Sequence, residues 1–136
     1  MNLKKVYELL ALSPVSAMNI TYPRAGAENL AELVAMMKEL QQDDPWSCPF
    51  DDEITARVVE QLLRSPDLGH IWFIAVDGQN VGYIVMSYDY SLEYRGRNAW
   101  VDEFFIRPSH RGLGIGSKAL DFFAQQAKEL GVTVVH

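Results

Sequence analysis

Val101-Asp-Glu-Phe-Phe-Ile-Arg-Pro-Ser-His-Arg-Gly-Leu-Gly-Ile-Gly-Ser-Lys-Ala-Leu120 decides how this chain is read. Its first six residues have the aromatic and β-branched character of a strand. Pro108 and the glycines at 112, 114 and 116 make the next segment a loop, and Gly116 to Leu130 has the spacing of a helix. A strand entering a helix through a glycine loop gathers unpaired backbone N–H groups and the positive end of a helix dipole at one point, where an anion can sit. Glycines let the main chain approach such a ligand closely, and Arg111 adds positive charge. A phosphate-bearing cofactor is the expected guest. Two nucleotide motifs fail on spacing. Gly116-Ser117-Lys118 has the wrong order for a Walker A loop, and Gly112-Leu-Gly-Ile-Gly-Ser lacks the third glycine position and the downstream acid of a dinucleotide fold.

Upstream, Asn19 to Tyr22 reads as a short strand. Leu30, Leu33, Val34, Met37 and Leu40 predict an amphipathic helix over 28–41, ended by Asp43-Asp44-Pro45-Trp46. Ile54, Val58 and Leu62 define one face of a second helix, Asp52 to Arg64, which Ser65-Pro66 stops. Ile71 to Val76 and Val81 to Tyr90 flank a turn at 77–80 and predict an antiparallel hairpin. Ser91 to Asn98 reads as a polar loop, Ala99 to Ile106 as a strand, and Val132 to Val135 as the last strand, with Gly131 as the C′ residue of the preceding helix. The order β-α-α-β-β-β-α-β predicts an α+β domain in α/β/α layers. Its sheet is mixed and mostly antiparallel, and only the final β-α-β unit is a parallel crossover.

A length of 136 residues suits one domain, here 18–136, with 1–17 as an N-terminal arm or short helix over residues 3–12. Twelve basic against eighteen acidic residues give a net charge of −6, which argues against nucleic acid as a partner and suits cationic ligands. One cysteine, Cys48, excludes an internal disulfide; with no histidine near it in sequence it reads as a small hydrophobe rather than a nucleophile. His70, His110 and His136 lack metal-ligand spacing, so no metal is expected. No apolar run reaches membrane-spanning length and no leader is read, so the expectation is a soluble, cytoplasmic protein without a membrane partner.

Arg111-Gly-Leu-Gly-Ile-Gly116, read as [Gln/Arg]-x-x-Gly-x-[Gly/Ala] after a strand and before a helix, resembles the acetyl-CoA loop of the GNAT N-acetyltransferase superfamily. The element order from Met18 onward resembles that family's core. Asp102-Glu-Phe-Phe-Ile106 is similar to the polyamine (spermidine/spermine) acetyltransferase branch. The resemblance implies that Gly112, Leu113, Gly114, Ile115, Gly116 and Ser117, with Arg111, hold the acetyl-CoA pyrophosphate, and that the main chain of Phe104, Phe105 and Ile106 pairs with the pantetheine arm. It implies acetyl transfer from acetyl-CoA to a primary amine of a small cationic molecule by direct attack. An alkylamine is protonated near neutral pH and must lose a proton to attack, which is work for a carboxylate. Asp102 matches the substrate-contacting acid of the polyamine branch, and Glu103 is second. Because adjacent strand residues point to opposite faces, one of the pair is expected to face the acetyl group. Tyr88, Tyr90 and Glu93 lead toward the loop through which the family admits its substrate. Two alternatives stay open: a protein or peptide amine as acceptor, and a catalytically inactive CoA-binding or assembly module. The second arises because family members usually continue past the strand matching 132–135 with a helix and a hairpin. That departure predicts a truncated chain, or a homodimer formed through the last strand.

Overall fold

The computed structural model describes residues 18–136; the arm and the helix expected over 3–12 lie outside them. Strand β1 is Ile20–Thr21, and a 3-10 turn at Ala27–Asn29 leads into α1, Leu30–Asp43. Helix α2, Asp52–Arg64, starts where the Asp51 side chain accepts a hydrogen bond from the Ile54 N–H at 2.9 Å. Strands β2 (Gly69–Val76) and β3 (Gln79–Ser91) join through Asp77-Gly78, both at positive φ, the two-residue turn that matches strand twist. Strand β4 is Gly96–Ile106, and α3 is Ile115–Glu129. Gly131 takes φ 75°, and the Val132 and Gly131 N–H groups donate back to Ala127 and Lys128, closing α3 with a Schellman cap. Strand β5 is Val134–Val135.

The sheet runs β1-β2-β3-β4-β5, antiparallel throughout except for the parallel β4–β5 pair. The expected element order and layering are found. On one face α1 and α2 set Leu33, Met36, Met37 and Val59 against Ile71, Phe73, Tyr83, Val85 and Phe105. On the other, Phe123 and Ala127 of α3 pack with Ile84, Met86 and Ala99, and Ile115 and Ala119 with Ile74, Val76 and Val81. Helices on both faces explain why β2 is buried along its whole length and reads as a continuous apolar run. Each large apolar side chain buried this way contributes roughly 1.5–3 kcal/mol.

Three expectations are corrected. Ser91 to Asn98 is not a loop: β3 and β4 pair up to Ser91↔Gly96, and Leu92–Arg95 alone form the turn. Its polar residues reflect the exposure of the hairpin's end, not a lack of pairing. In α1 the buried stripe is Leu33, Met36, Met37 and Gln41, rotated from the predicted one, because the helix meets the sheet beside α2. In α2 the predicted face splits: Leu62 is half-buried and Val59 is buried, whereas Ile54 and Val58 remain exposed.

The decisive local feature is in β4. Val85 pairs with Glu103 and Met86 with Val101, so Asp102 is an extra residue, a β-bulge. Before it, Ala99 and Val101 face α3; after it, Phe104 and Ile106 do. The bulge resets the alternation by one residue.

Candidate active site

Because of that reset, Asp102 and Glu103 both turn toward the α1–α2 side and line the same groove. This corrects the expectation that only one of two adjacent acids faces the site; strict alternation holds only in an unbulged strand. Asp102 is exposed. Glu103 is half-buried, and the phenol of the buried Tyr83 donates to its Oε2 at 2.8 Å. Burial raises the Glu103 carboxyl above the ordinary carboxylate range; the Tyr83 hydrogen bond opposes this and the Asp102 charge reinforces it. Tyr83 itself is pushed up, first by burial and then by Glu103, so it remains a donor.

The two acids stand at the junction of two hollows that share Trp46. One is apolar, about 230 Å³, and runs under α2. The other is more polar, about 420 Å³, and includes Asp44 and Phe104. Two arginines fasten α1 beside it. Arg107 pairs with Glu39 at 3.2 Å and donates to the Asn80 carbonyl at 3.1 Å. Arg111 pairs with Asp43 and donates from Nε to the Ile106 carbonyl at 2.7 Å. The segment 44–51 that follows α1 brings Asp44 and Trp46 to the hollows. The Gln41 amide steadies it by donating to the Cys48 carbonyl at 3.0 Å.

Past the bulge, β4 keeps one partner. Glu103, Phe104, Phe105 and Ile106 pair with Val85, Ile84, Tyr83 and Gly82, whereas β5 is in register only with Asn98 and Ala99. Among the described residues the other edge of 103–106 has no strand beside it. The strand then leads through the 3-10 turn Pro108–His110 to Gly112 (φ 74°) and Gly114 (φ 86°), the N-cap of α3. A glycine N-cap brings no side-chain acceptor to the first-turn amides of Ile115, Gly116 and Ser117. A Cβ at Gly112 would meet open space, so the loop's outer surface is accessible. An anionic diphosphate fits this loop. Ile115 is buried and Leu113 half-buried, so these two contribute backbone while their side chains anchor the loop.

The remaining candidates lie elsewhere. Tyr88 lies beneath the Arg97 guanidinium, 4.3 Å from ring centroid to Cζ, and edge-on to His70. Tyr90, 73% exposed, and Glu93 are at the outer end of the β3–β4 hairpin. None of the three lines the hollows beside the acids. Cys48 is exposed and lies outside the apolar core clusters. Tyr83, Trp46 and Asp44 were missed in the sequence. The one local signal was the Asp-Glu pair, which breaks the period-2 pattern of its strand.

A model of the acetyltransferase (GNAT) family matches residues 33–136, and the chain belongs to that family. A thialysine N-epsilon-acetyltransferase of Mus musculus is 25% identical over 120 residues, covering 79% of this chain and 66% of its own length. That of Bos taurus is 37% identical over 51 residues, covering 38% of this chain and 29% of its own. The chain thus spans under two thirds of the length of these curated relatives. Among solved structures, an integron cassette protein from the mobile metagenome of Cole Harbour Salt Marsh superposes with a TM-score of 0.78 at 36% identity, over 93% of this chain and 78% of that one. An acetyltransferase from Clostridium acetobutylicum, solved with acetyl-CoA, shares the fold with a TM-score of 0.74 at 20% identity, over 87% and 79%. No helix among the described residues is long and apolar enough to cross a membrane.

Proposed function

We propose that this protein transfers an acetyl group from acetyl-CoA to the primary amine of a small cationic molecule by direct attack. The observation that carries this reading is the bulge. It turns two carboxylates into one groove at the point where β4 leaves its β5 partner and runs on to the glycine loop. Acetyl-CoA supplies an activated acetyl thioester. The backbone amides of Gly112 to Ser117 hold its diphosphate, with the Arg111 guanidinium adding positive charge beside them, and the open edge of Phe104 to Ile106 offers main-chain partners to its arm.

In this reading Asp102, exposed at the groove, holds the incoming ammonium. Glu103, partly buried beside it, takes the proton and passes it to water, so that a neutral amine attacks. The Tyr83 phenol fixes the Glu103 rotamer and leaves the other carboxylate oxygen for the substrate. The new bond is N–C and the broken bond is C–S; the products are an amide and CoA thiol. The thiol's modest basicity makes it a tolerable leaving group without a strong acid. Net negative charge favours the approach of cationic acceptors.

Thiol release in the presence of acetyl-CoA tests the reading, with ethylamine, putrescine and a lysine peptide as acceptors. Turnover of the small amines above the peptide is expected. Calorimetry with CoA should show binding that Gly114→Asp abolishes, because the new carboxylate occupies the same amides and repels the anion. No thiol release with any amine at millimolar concentration would overturn the assignment.

A further inference from the structure

The two hollows meeting at the acid pair differ in chemistry. In the one beneath α2, the lining apart from Thr55 and the two carboxylates is wholly apolar, with Met37, Trp46, Ile54, Val58, Leu62 and Val85 prominent. No cation lines it, and its charge is confined to the end where Asp102 and Glu103 project. Ile54 and Val58 are 52% and 63% exposed at its mouth, a cost in hydration that the fold of the described residues leaves unrelieved. The second hollow, with Asp44 and Phe104, leads from the same acids along the free edge of β4. An ammonium held by the acids therefore has the acetyl route on one side and an apolar chamber on the other.

We infer that the chamber takes the hydrocarbon arm of the acceptor, and that the preferred substrate is a monoamine carrying an apolar group about the size of one benzene ring. This rests on the transferase reading above and specifies its acceptor. The size follows from the cavity: about 230 Å³, compared with the roughly 150 Å³ apolar cavity that takes up benzene. A linear polyamine placed there would bury its second ammonium among methyl and methylene groups without a partner, which is strongly unfavourable. A bare short amine would leave the chamber empty and forgo the burial.

The test compares 2-phenylethylamine, ethylamine and spermidine with the full chain, by kcat/KM from thiol release and by calorimetric binding in the presence of CoA. The expected order is 2-phenylethylamine above both others, by about tenfold or more, the scale on which apolar pockets discriminate. In Val58→Asn, a polar change at an exposed position that the fold tolerates, the 2-phenylethylamine to ethylamine ratio should fall about tenfold. Two results would overturn the inference: spermidine binding as tightly as 2-phenylethylamine, or a ratio indifferent to Val58→Asn. If no amine is acetylated, the transferase reading fails. The calorimetric order then still decides the chamber's preference, and 2-phenylethylamine binding no tighter than ethylamine sinks it.

Discussion

The two halves of β4 share a strand but serve opposite ends. From Gly96 to Val101 the strand is flanked by β3 and by β5, and Asn98 and Ala99 are buried. From Asp102 to Ile106 it has β3 alone among the described residues, exposes an acid, half-buries another and offers a free backbone edge. One inserted residue divides them. The first half shows how a sheet builds a fold; the second shows what a sheet does when it stops pairing, which is to leave main chain and charge open.

If β3 alone holds the second half, breaking that single ladder should have the largest effect. A Cβ on Gly82 would lie 2.1 Å from the Phe105 carbonyl oxygen, inside the β3–β4 pairing. Gly82→Ala is therefore expected to cost about 3 kcal/mol or more, visible as a large loss of soluble protein and a much lower urea midpoint. A near-native midpoint would mean that the second half is held by something other than its pairing with β3.

Glu103→Gln separates function from stability in that half. The Glu103 carboxyl is raised by burial, so the folded state keeps its proton to higher pH than the unfolded chain does. Its favourable contribution is complete below the ordinary carboxylate pKa and is lost as pH rises through the raised value. Gln, which cannot ionise and can still accept from Tyr83, should raise Tm at neutral pH by a few degrees while lowering kcat/KM by about 100-fold or more. In the unmutated enzyme kcat/KM should decline toward acid below a pKa higher than that of an ordinary carboxylate, and in the variant this limb should vanish. A variant both less stable and fully active would remove Glu103 from the chemistry.

Much of the frame around β4 could be read without the structure, and the bulge that divides the strand could not. Ser65-Pro66 and Gly131 mark boundaries by local chemistry and α2 and α3 end where expected, whereas the hairpin turn is tighter than the expected 77–80, with β3 starting at Gln79. The glycine loop is also local, and it opens the helix as its spacing implies, with α3 beginning at Ile115 instead of Gly116. The bulge is not local. It exists because Val85 and Met86 select Glu103 and Val101 as partners, a choice made eighteen residues away or less across a hairpin turn that polarity disguised as a loop. Periodicity likewise identified the apolar side of α2, but whether Ile54 and Val58 are covered depends on where α1 and the sheet stand. Tyr88, Tyr90 and Glu93 follow the same lesson: sequence proximity to a loop does not determine which face or end of a hairpin a side chain occupies.

Asp102→Asn is expected to have a smaller effect than Glu103→Gln. Asp102 is exposed, and its contribution is the attraction of a solvated ammonium, which water and salt weaken. KM for a cationic amine should rise about three- to tenfold with kcat little changed, and the difference from the unmutated enzyme should shrink at high ionic strength. A collapse of kcat instead would move the proton-accepting role from Glu103 to Asp102 and invert the division of labour between the two acids.

The smallest effect belongs to the fastening that replaces a second strand partner. Arg111 ties the loop after β4 to the end of α1 through Asp43, but the two side chains are 46% and 42% exposed. Ion pairs at that exposure are worth at most about 1 kcal/mol, because water competes for both ends. Asp43→Ala should therefore lower Tm by only about 1–3 °C. It should also release the Arg111 guanidinium, which otherwise divides its donors between Asp43 and the Ile106 carbonyl. Removing a carboxylate from beside the loop proposed to hold the diphosphate lessens repulsion as well, so CoA should bind about two- to threefold more tightly at low salt, with the gain disappearing as salt is raised. Weaker CoA binding in Asp43→Ala would show that the ion pair sets the position of the loop, and that the second half of β4 depends on α1 as firmly as the first half depends on β5.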